Sequence, residues 1–386
     1  MRNISTGIDV GSLTTRVVVG EFLKGERNPK IIGVGEYPTG GMRHGYITQF
    51  DDTVKSIRQA VGLAEKTSGV KIKRAFVSVG DVTLRGYVSS GVAIISKADG
   101  EVTTLDVNKA LADCEENLSL NNRKIIQITP LSYKLDGVEV LGRLEGMRGN
   151  KLEIKALFTT YSSVHLEDLI AAIADAGVET IDVVASPVAG SHIALSEKQK
   201  IVGSALINIG AETVSLAVFE NGSLLSAHTF SIGASDVTND IALGLKIPLE
   251  LAESFKLGNI TPEYSKKKLD EIIEARFSDI FELVDNHLKK IKRSELLPAG
   301  VIFVGSGANT LGLEEFAKSA LGLPSCIGTT EIFGNIKTKL RDPAWFTVLG
   351  LIIGGRDSDN YSRGALGGIF KDLKNSIKLG IKQLMP

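Results

Sequence analysis

The chain has 386 residues, of which 43% are hydrophobic, and this predicts two or three folded domains with sizeable cores. Its 44 basic and 45 acidic residues nearly cancel, which excludes a global attraction to nucleic acid, so a charged partner has to be met by a local patch. Two cysteines are too few for a disulfide framework. No apolar stretch behind a basic start follows Met1, so a secretory signal is not expected. The longest uncharged apolar run, 344–355, is shorter than the ~20 residues of a membrane-spanning helix, so no membrane span is expected.

The first predicted element is a hairpin across residues 8–19. Apolar residues flank a polar turn at Gly11, and such a turn presents a row of backbone N–H groups to an anion. Glycine lets a phosphate approach the backbone closely, and the Asp9 carboxylate suits the water shell of a magnesium ion that bridges phosphates. The same residues equally describe a plain hairpin with an exposed aspartate. The candidate nucleotide-binding residues here are Asp9, Gly11, Ser12, Leu13 and Thr14, with Asp9 also the candidate magnesium residue.

The domain that begins with this hairpin is interrupted by an insertion. Strands at 31–37 and 74–79 are predicted on either side of an amphipathic helix at 51–68. Between 85 and 161 the pattern changes to a compact strand, helix, strand, strand unit, with elements at 91–95, 104–118, 124–133 and 152–160. A helix around 166–174 and a strand at 180–184 then resume the first domain.

A second hairpin repeats the first much later in the chain, with Gly210 at its turn. The sequence Ile207-Asn208-Ile209-Gly210-Ala211 follows Ile8-Asp9-Val10-Gly11-Ser12 almost residue for residue. Two such turns facing each other predict a clamp that holds a nucleotide's phosphates from both sides. Because asparagine cannot act as a base and Glu212 adds negative charge near the phosphates, slow or absent hydrolysis is expected. The candidate nucleotide-binding residues here are Asn208, Gly210, Ala211, Glu212 and Thr213.

The second half continues with predicted helices at 234–243, 248–256 and 262–292, and with a buried strand at 301–304. This strand ends in a glycine turn where a base and ribose could lie against bare backbone. The same glycine turn is also typical of a tight strand-to-helix connection with no ligand. One helical turn separates a glutamate from a lysine that could both reach the ribose or base, or could form a surface ion pair. These candidate nucleotide-binding residues are Glu253, Lys256, Gly305, Ser306, Gly307 and Asn309.

The C-terminal residues 366–386 predict an amphipathic helix behind a polar, glycine-bearing linker at 354–365. Its lysines flank an apolar face, and each lysine adds ~1 kcal/mol of binding near anionic lipid. Docking of this helix on its own domain, or in a partner's groove, is the alternative. The candidate membrane-binding residues are Ile369, Phe370, Lys371, Leu373, Lys374, Ile377, Lys378, Ile381, Lys382 and Leu384.

Together these motifs resemble the actin-like proteins, and more closely the FtsA family of bacterial cell-division proteins. The resemblance rests on IDVGSLTTRVVVGE and ALINIGAETVSLAVF as phosphate motifs, VIFVGSGAN as adenosine motif, RAFVSVG and DGEVTTLDV around and within the insertion, and GGIFKDLKNSIKLGIKQLM as tail. It implies an α/β, actin-like (ribonuclease-H-like) duplicated fold with two lobes flanking a nucleotide cleft. The implied domains are a first lobe (1–83 and 163–200), an inserted SHS2 subdomain (84–162), a second lobe (201–353, with 258–300 its small subdomain), the linker and the C-terminal helix.

The resemblance also implies a function. The protein would bind ATP with magnesium, polymerise, and tether polymers of the tubulin-like protein FtsZ, through the C-terminal peptide of FtsZ, to the cytoplasmic face of the cell membrane at the division site. The helix near 277–287 corresponds to the region expected to meet that peptide, and the insertion to the contact with the next protomer. Thr14 stands where the family usually has lysine, and the second phosphate motif departs from the usual DIGGGTTD, so weak or no ATPase activity is expected.

Two other functions fit parts of the sequence. A relative of the pilus-assembly protein PilM would share the fold and the insertion, but the lysine-lined tail disfavours it. A small-molecule kinase of the same superfamily would need a catalytic carboxylate near the second hairpin, where this chain has Asn208. No residue is singled out as catalytic, and the five histidines show no metal-binding spacing.

Overall fold

The computed structural model describes residues 3–26, 28–140, 142, 144, 146–330 and 338–361. Met1–Arg85 and Tyr161–Ile353 form one compact unit, and Gly86–Thr160 belongs to a second. The first unit contains two large sheets, which we call lobe I and lobe II with the helices that cover them, and a small two-stranded hairpin at residues 42–47.

Lobe I is built on a five-stranded sheet in the order β11-β6-β1-β2-β3. β1 and β2 form the predicted hairpin, while β1, β6 and β11 run parallel. Helix α1 lies close against β3, since a Cβ at Gly35 would come within 1.9 Å of the Ala60 carbonyl oxygen. The elements are β1 (Asn3–Val10), β2 (Thr14–Phe22), β3 (Lys30–Pro38), β4 (Met42–Arg43), β5 (Tyr46–Ile47), α1 (Phe50–Ser68) and β6 (Arg74–Val79), and, after the insertion, α3 (Ser163–Asp175), β11 (Glu179–Ala185) and α4 (Ser186–Ala194).

Gly86–Thr160 has its own core. Its strands lie in the order β7-β10-β8-β9, and α2 packs so closely on β7 that a Cβ at Gly91 would meet the Ala110 carbonyl oxygen at 2.2 Å. Thr103 begins α2 with a capping box; burial alone would raise the pKa of Asp106, but hydrogen bonds from Thr103 and Ser96 lower it to about 2. The elements are β7 (Arg85–Ile94), α2 (Thr104–Glu116), β8 (Arg123–Leu135), β9 (Val138–Val140) and β10 (Lys151–Ser162). The predicted order is present, with the short β9 added.

Lobe II repeats the plan of lobe I. Its strands lie in the order β16-β15-β12-β13-β14, with β12 and β13 antiparallel and β12 and β15 parallel. The long helix α8 covers this sheet with an apolar face that includes the fully buried Phe277 and Phe281. The elements are α5 (Glu197–Val202), β12 (Ser204–Ile209), β13 (Val214–Glu220), β14 (Ser223–Phe230), α6 (Ala234–Leu245), α7 (Leu249–Lys256), α8 (Lys266–Lys290), β15 (Val301–Val304), α9 (Leu313–Leu321), β16 (Ser325–Ile327) and α10 (Phe346–Tyr361).

Helix α10 corrects the prediction of a flexible linker over residues 354–361, whereas residues 362–365 of that linker lie outside the described residues. The helix continues from its buried first turns as far as Tyr361, because extending an established helix adds a hydrogen bond for each residue that is fixed. It approaches α4 closely at Gly350, where a Cβ would lie 1.8 Å from the Ala189 carbonyl oxygen. The predicted membrane-binding helix at 366–386 lies outside the described residues. Within the described residues, no helix has the length and apolarity that a membrane span requires.

Candidate functional site

The two hairpin turns have the same backbone geometry. The Gly11 N–H donates to the Thr14 carbonyl oxygen at 3.2 Å, and the Gly210 N–H donates to the Thr213 carbonyl oxygen at 2.8 Å. A Cβ at Gly11 would lie 3.0 Å from the Thr14 oxygen, and one at Gly210 would lie 3.1 Å from the Thr213 oxygen. The strand registers also correspond, because Asp9 pairs with Arg16 as Asn208 pairs with Ser215. The chain therefore contains the same glycine hairpin turn twice.

Both turns line the same cleft. Its empty space, counted together with the open solvent at its mouth, is about 780 Å³. The turn after β15 contributes to the wall as well, so the three segments with predicted nucleotide-binding turns all meet there. The predicted residues that line this cleft are Asp9, Gly11, Ser12, Leu13, Thr14, Asn208, Gly210, Ala211, Thr213, Gly305 and Ser306.

Asp9 lines the cleft and is held in place by its neighbours. The Ser78 hydroxyl donates to the Asp9 carboxylate, and Arg16 lies opposite Asp9 on the next strand. Burial raises the pKa of Asp9, whereas the Ser78 hydrogen bond and the charge of Arg16 act in the opposite direction. A half-buried carboxylate of this kind favours a nearby cation, so the residue present fits the predicted magnesium role.

Glycine is required at position 305, where β15 ends. Its φ of +89° and ψ of 171° belong to a region that side chains avoid. A Cβ there would lie 2.3 Å from the Asn208 side-chain oxygen, which faces Gly305 while the Asn208 amide nitrogen donates to Thr347 at 3.2 Å. Bare backbone and a fixed amide therefore form one wall of the cleft.

Glu212 does not line the cleft, although it belongs to the second turn. Its carboxylate accepts the backbone N–H of His44 at 2.7 Å and lies 3.5 Å from the Arg43 guanidinium. The negative charge that was expected to face the phosphates is directed to the β4–β5 hairpin instead.

Four further predicted residues also lie outside the cleft lining. The Lys256 side chain is 4% exposed, and its ammonium donates to Glu253 at 2.7 Å and to Thr238 at 2.9 Å. This pair therefore ties α7 to α6, and it is not a surface pair because its lysine is buried. Gly307 packs against Ile209, and the Asn309 amide donates to Asp342 at 3.0 Å.

Several cleft residues were missed by sequence reasoning. Arg16 is the clearest, since the hairpin register opposite Asp9 would have identified it. Its guanidinium donates to Glu36 at 3.1 Å and lies 5.6 Å from the centre of the Trp345 ring, which fixes a cation beside the first turn. The others come from distant segments and carry no local motif. The missed lining residues include Arg16, Gly45, Ser78, Tyr161, Ser186 and Thr347.

The cleft offers few groups for proton transfer. Among the described residues that line it, only Asp9, Arg16 and Tyr161 have titratable side chains. Burial, followed by the charge of Asp81, raises the pKa of Tyr161 well above its usual value. No group of three or more metal-binding side chains occurs within the described part of the chain. The glycine turns and the Arg16 guanidinium are suited to holding an anionic ligand.

The fold defines the class of protein. The structure is similar to that of a PilM–PilN type IV pilus biogenesis complex, with a TM-score of 0.69 and 16% identity over 91% of this chain and 98% of the other. It is also similar to MreB5 of Spiroplasma citri bound to ADP, with a TM-score of 0.54 and 12% identity over 94% and 99% of the two chains. The protein is therefore an actin-like α/β protein with an inserted subdomain, as predicted.

The sequence comparisons define the family within that class. Residues 205–350 match the family model of the cell division protein FtsA, and residues 82–160 match that of the SHS2 domain inserted in FtsA. The FtsA of Bacillus subtilis (strain 168) is 30% identical, over 89% of this chain and 82% of its own length, and that of Pseudomonas aeruginosa PAO1 is 26% identical, over 94% and 92%. The chain belongs to the FtsA family, and it is a homologue of the division actins.

Proposed function

We propose that this division actin homologue binds ATP with magnesium in the cleft, polymerises, and tethers FtsZ polymers to the cytoplasmic face of the cell membrane at the division site. The observation that carries the nucleotide proposal is the convergence of two matched glycine turns on one cleft. Membership of the chain in the FtsA family supports a place for the protein in the division machinery.

Each part of the cleft has a role toward the nucleotide. The N–H groups of residues 12–14 and 211–213 would hold phosphate oxygens, and Arg16 would supply the positive charge that Thr14 lacks. Asp9 would hold a magnesium ion through its water shell, and that ion would neutralise phosphate charge. The bare backbone at Gly305 and Ser306 would face the nucleoside.

Calorimetry with ATP and magnesium tests the nucleotide proposal. Gly210→Val should weaken binding at least about tenfold, because a larger side chain at the turn obstructs the approach of the phosphates. Gly62→Ala is the control, since a Cβ at Gly62 meets nothing within 4 Å. Absence of binding heat from the unmodified protein would contradict the proposal.

Weak or absent ATP hydrolysis is part of the proposal. Asn208 occupies the place in the second turn that Asp9 occupies in the first, and an amide cannot accept a proton from water. Asn208→Asp should raise phosphate release, since a positioned base contributes roughly 10²–10⁴-fold in enzymes. Turnover by the unmodified protein at ordinary enzyme rates would contradict this account of the cleft.

Membrane attachment is proposed from the sequence of residues 366–386. Four lysines less one aspartate suggest roughly 3 kcal/mol of attraction to anionic lipid, or about a hundredfold in partitioning. The protein should float with anionic liposomes, and deletion of Gly367–Pro386 should abolish this. Replacing the four lysines by glutamine is the matched control, because it should remove the dependence on anionic lipid while keeping the apolar face. Flotation that survives the deletion would refute attachment through this helix.

Binding of the FtsZ C-terminal peptide is proposed for the solvent side of α8. Its apolar face is used in the core, where Phe277, Phe281 and Val284 are buried, but Leu283 is exposed. Fluorescence anisotropy with a labelled FtsZ tail peptide should show binding that Leu283→Asp weakens. No binding to the unmodified protein would exclude this surface. Electron microscopy with ATP and lipid tests filament formation.

The PilM-like function is the second candidate, favoured by the TM-score of 0.69 with the PilM–PilN structure. The liposome experiment separates the two functions. A chain that works only as a pilus adaptor would not need its own lysine-lined tail to reach the membrane.

A further inference from the structure

The tip of the β4–β5 hairpin reaches both phosphate turns. The Gly45 N–H donates to the Ser12 hydroxyl of the first turn at 3.1 Å, and the His44 N–H donates to the Glu212 carboxylate of the second turn at 2.7 Å. Because the two donors are adjacent in sequence, one small hairpin connects lobe I to lobe II beside the cleft.

The hairpin is anchored firmly on lobe I. Tyr46 stacks on the His165 ring with centroids 4.6 Å apart, and His165 pairs with the buried Asp81. Gly45 is pressed onto the same aspartate, since a Cβ there would lie 2.7 Å from the Asp81 Cα. His44 adopts a φ of 46°, and Gly45 a φ of 82°, so the tip has a constrained left-handed conformation.

Glu212 provides the charged contact on the lobe II side. Its side chain is 14% exposed, so its hydrogen bond to the His44 N–H is shielded from water, whereas the Arg43 guanidinium is 66% exposed. The His44 ring adds polar contacts of 3.2 Å to the Glu212 carbonyl oxygen and 3.3 Å to the Ser231 hydroxyl. The hydrogen bond to His44 is thus the stronger of the two carboxylate interactions, and the exposed ion pair is the weaker.

We propose that Glu212 is a positioning residue that fastens the β4–β5 tip onto the second phosphate turn and thereby slows the escape of nucleotide from the cleft. This inference rests on the proposed nucleotide binding. The two lobes can separate at the turns only if the tip leaves Ser12 or Glu212. Loss of a shielded, charge-assisted hydrogen bond corresponds to roughly tenfold or more in the equilibrium between fastened and open tip.

Two measurements on the full chain test whether Glu212 fastens the β4–β5 tip. The first is hydrogen–deuterium exchange of the amides at residues 44 and 45 without nucleotide. The second is the release rate of a fluorescent ADP analogue after a chase with excess ATP. The variants are Glu212→Ala, which removes the carboxylate, Glu212→Gln, which keeps a weaker acceptor, and Arg43→Gln, which removes only the ion pair. Glu220→Gln is the matched control, because Glu220 pairs with Arg293 at 2.7 Å and does not line the cleft.

Glu212→Ala should speed both the exchange of the tip amides and the nucleotide release about tenfold, with a smaller effect from Glu212→Gln. Arg43→Gln should change release by less than about threefold, since exposed pairs contribute little. Unchanged release by Glu212→Ala, or an equal effect of Glu220→Gln, would overturn the proposal. If the unmodified protein binds no nucleotide, the proposed function fails, and the exchange data alone then decide whether Glu212 fastens the tip. If Glu212→Ala does not fold, the same criteria apply to Glu212→Gln.

Discussion

Replacement of Gly305 by alanine probes the wall of the cleft most sharply. The backbone conformation at this residue costs an ordinary amino acid roughly 1–3 kcal/mol. The new Cβ would also lie 2.3 Å from the Asn208 side-chain oxygen and 2.5 Å from the Ile209 carbonyl oxygen. Relief of such overpacking costs about 1–3 kcal/mol more. Gly305→Ala should therefore lower the free energy of unfolding by about 2–6 kcal/mol, a large part of the 5–15 kcal/mol of a typical domain.

Urea titration followed by far-UV circular dichroism measures this loss. Gly62→Ala, in the middle of α1, is the control and should gain about 1 kcal/mol, since alanine is the better helix former and its Cβ meets no other atom within 4 Å. If Gly305→Ala proved as stable as the unmodified protein, the close contact between Gly305 and Asn208 would be incorrect, and the reasoning about this wall would fail.

Two further predictions concern partly buried titratable groups. Because burial raises the pKa of Asp9, its contribution to stability is full below the ordinary value of 3.8 and is lost as the pH rises through the folded value. Urea titrations without magnesium should thus find Asp9→Asn more stable than the unmodified protein at pH 7 but not at pH 3; equal stability at pH 7 would contradict the burial. Burial, then Lys290 and Arg85, lower the pKa of His287 to about 4, so stability should fall as the pH drops below 6.5. His287→Gln should remove about 2 kcal/mol of that fall between pH 7 and pH 5, and a fall of unchanged size would contradict it.

The parts of the fold with a local signature were predictable. A glycine between apolar strands predicts each hairpin turn. The strands at 74–79 and 301–304 have the predicted bounds. Helix α4 was missed because it is buried on nearly all sides and so lacks an apolar stripe. Residues 354–361 were misjudged because their polar composition suggested a linker, whereas a helix that begins in the core continues through them.

The candidate site shows the same division. The turns were found because their chemistry is contiguous in sequence. The contacts of Glu212 were not found, because His44 lies 168 residues away from it along the chain and no pattern of spacing connects the two residues. Lys256 was predicted to reach the ribose or base, with a surface ion pair as the alternative, but it is buried and donates to Thr238 of α6. Packing between distant segments, rather than local propensity, decided these positions.

The proposed nucleotide site depends on two glycine turns that hold the phosphates of one nucleotide. The most direct test is a crystal structure of the full chain grown with magnesium and a non-hydrolysable ATP analogue. The phosphates should contact the backbone of both residues 12–14 and residues 211–213, with Arg16 alongside. Electron density for the analogue at another place, or contact with one turn alone, would contradict it.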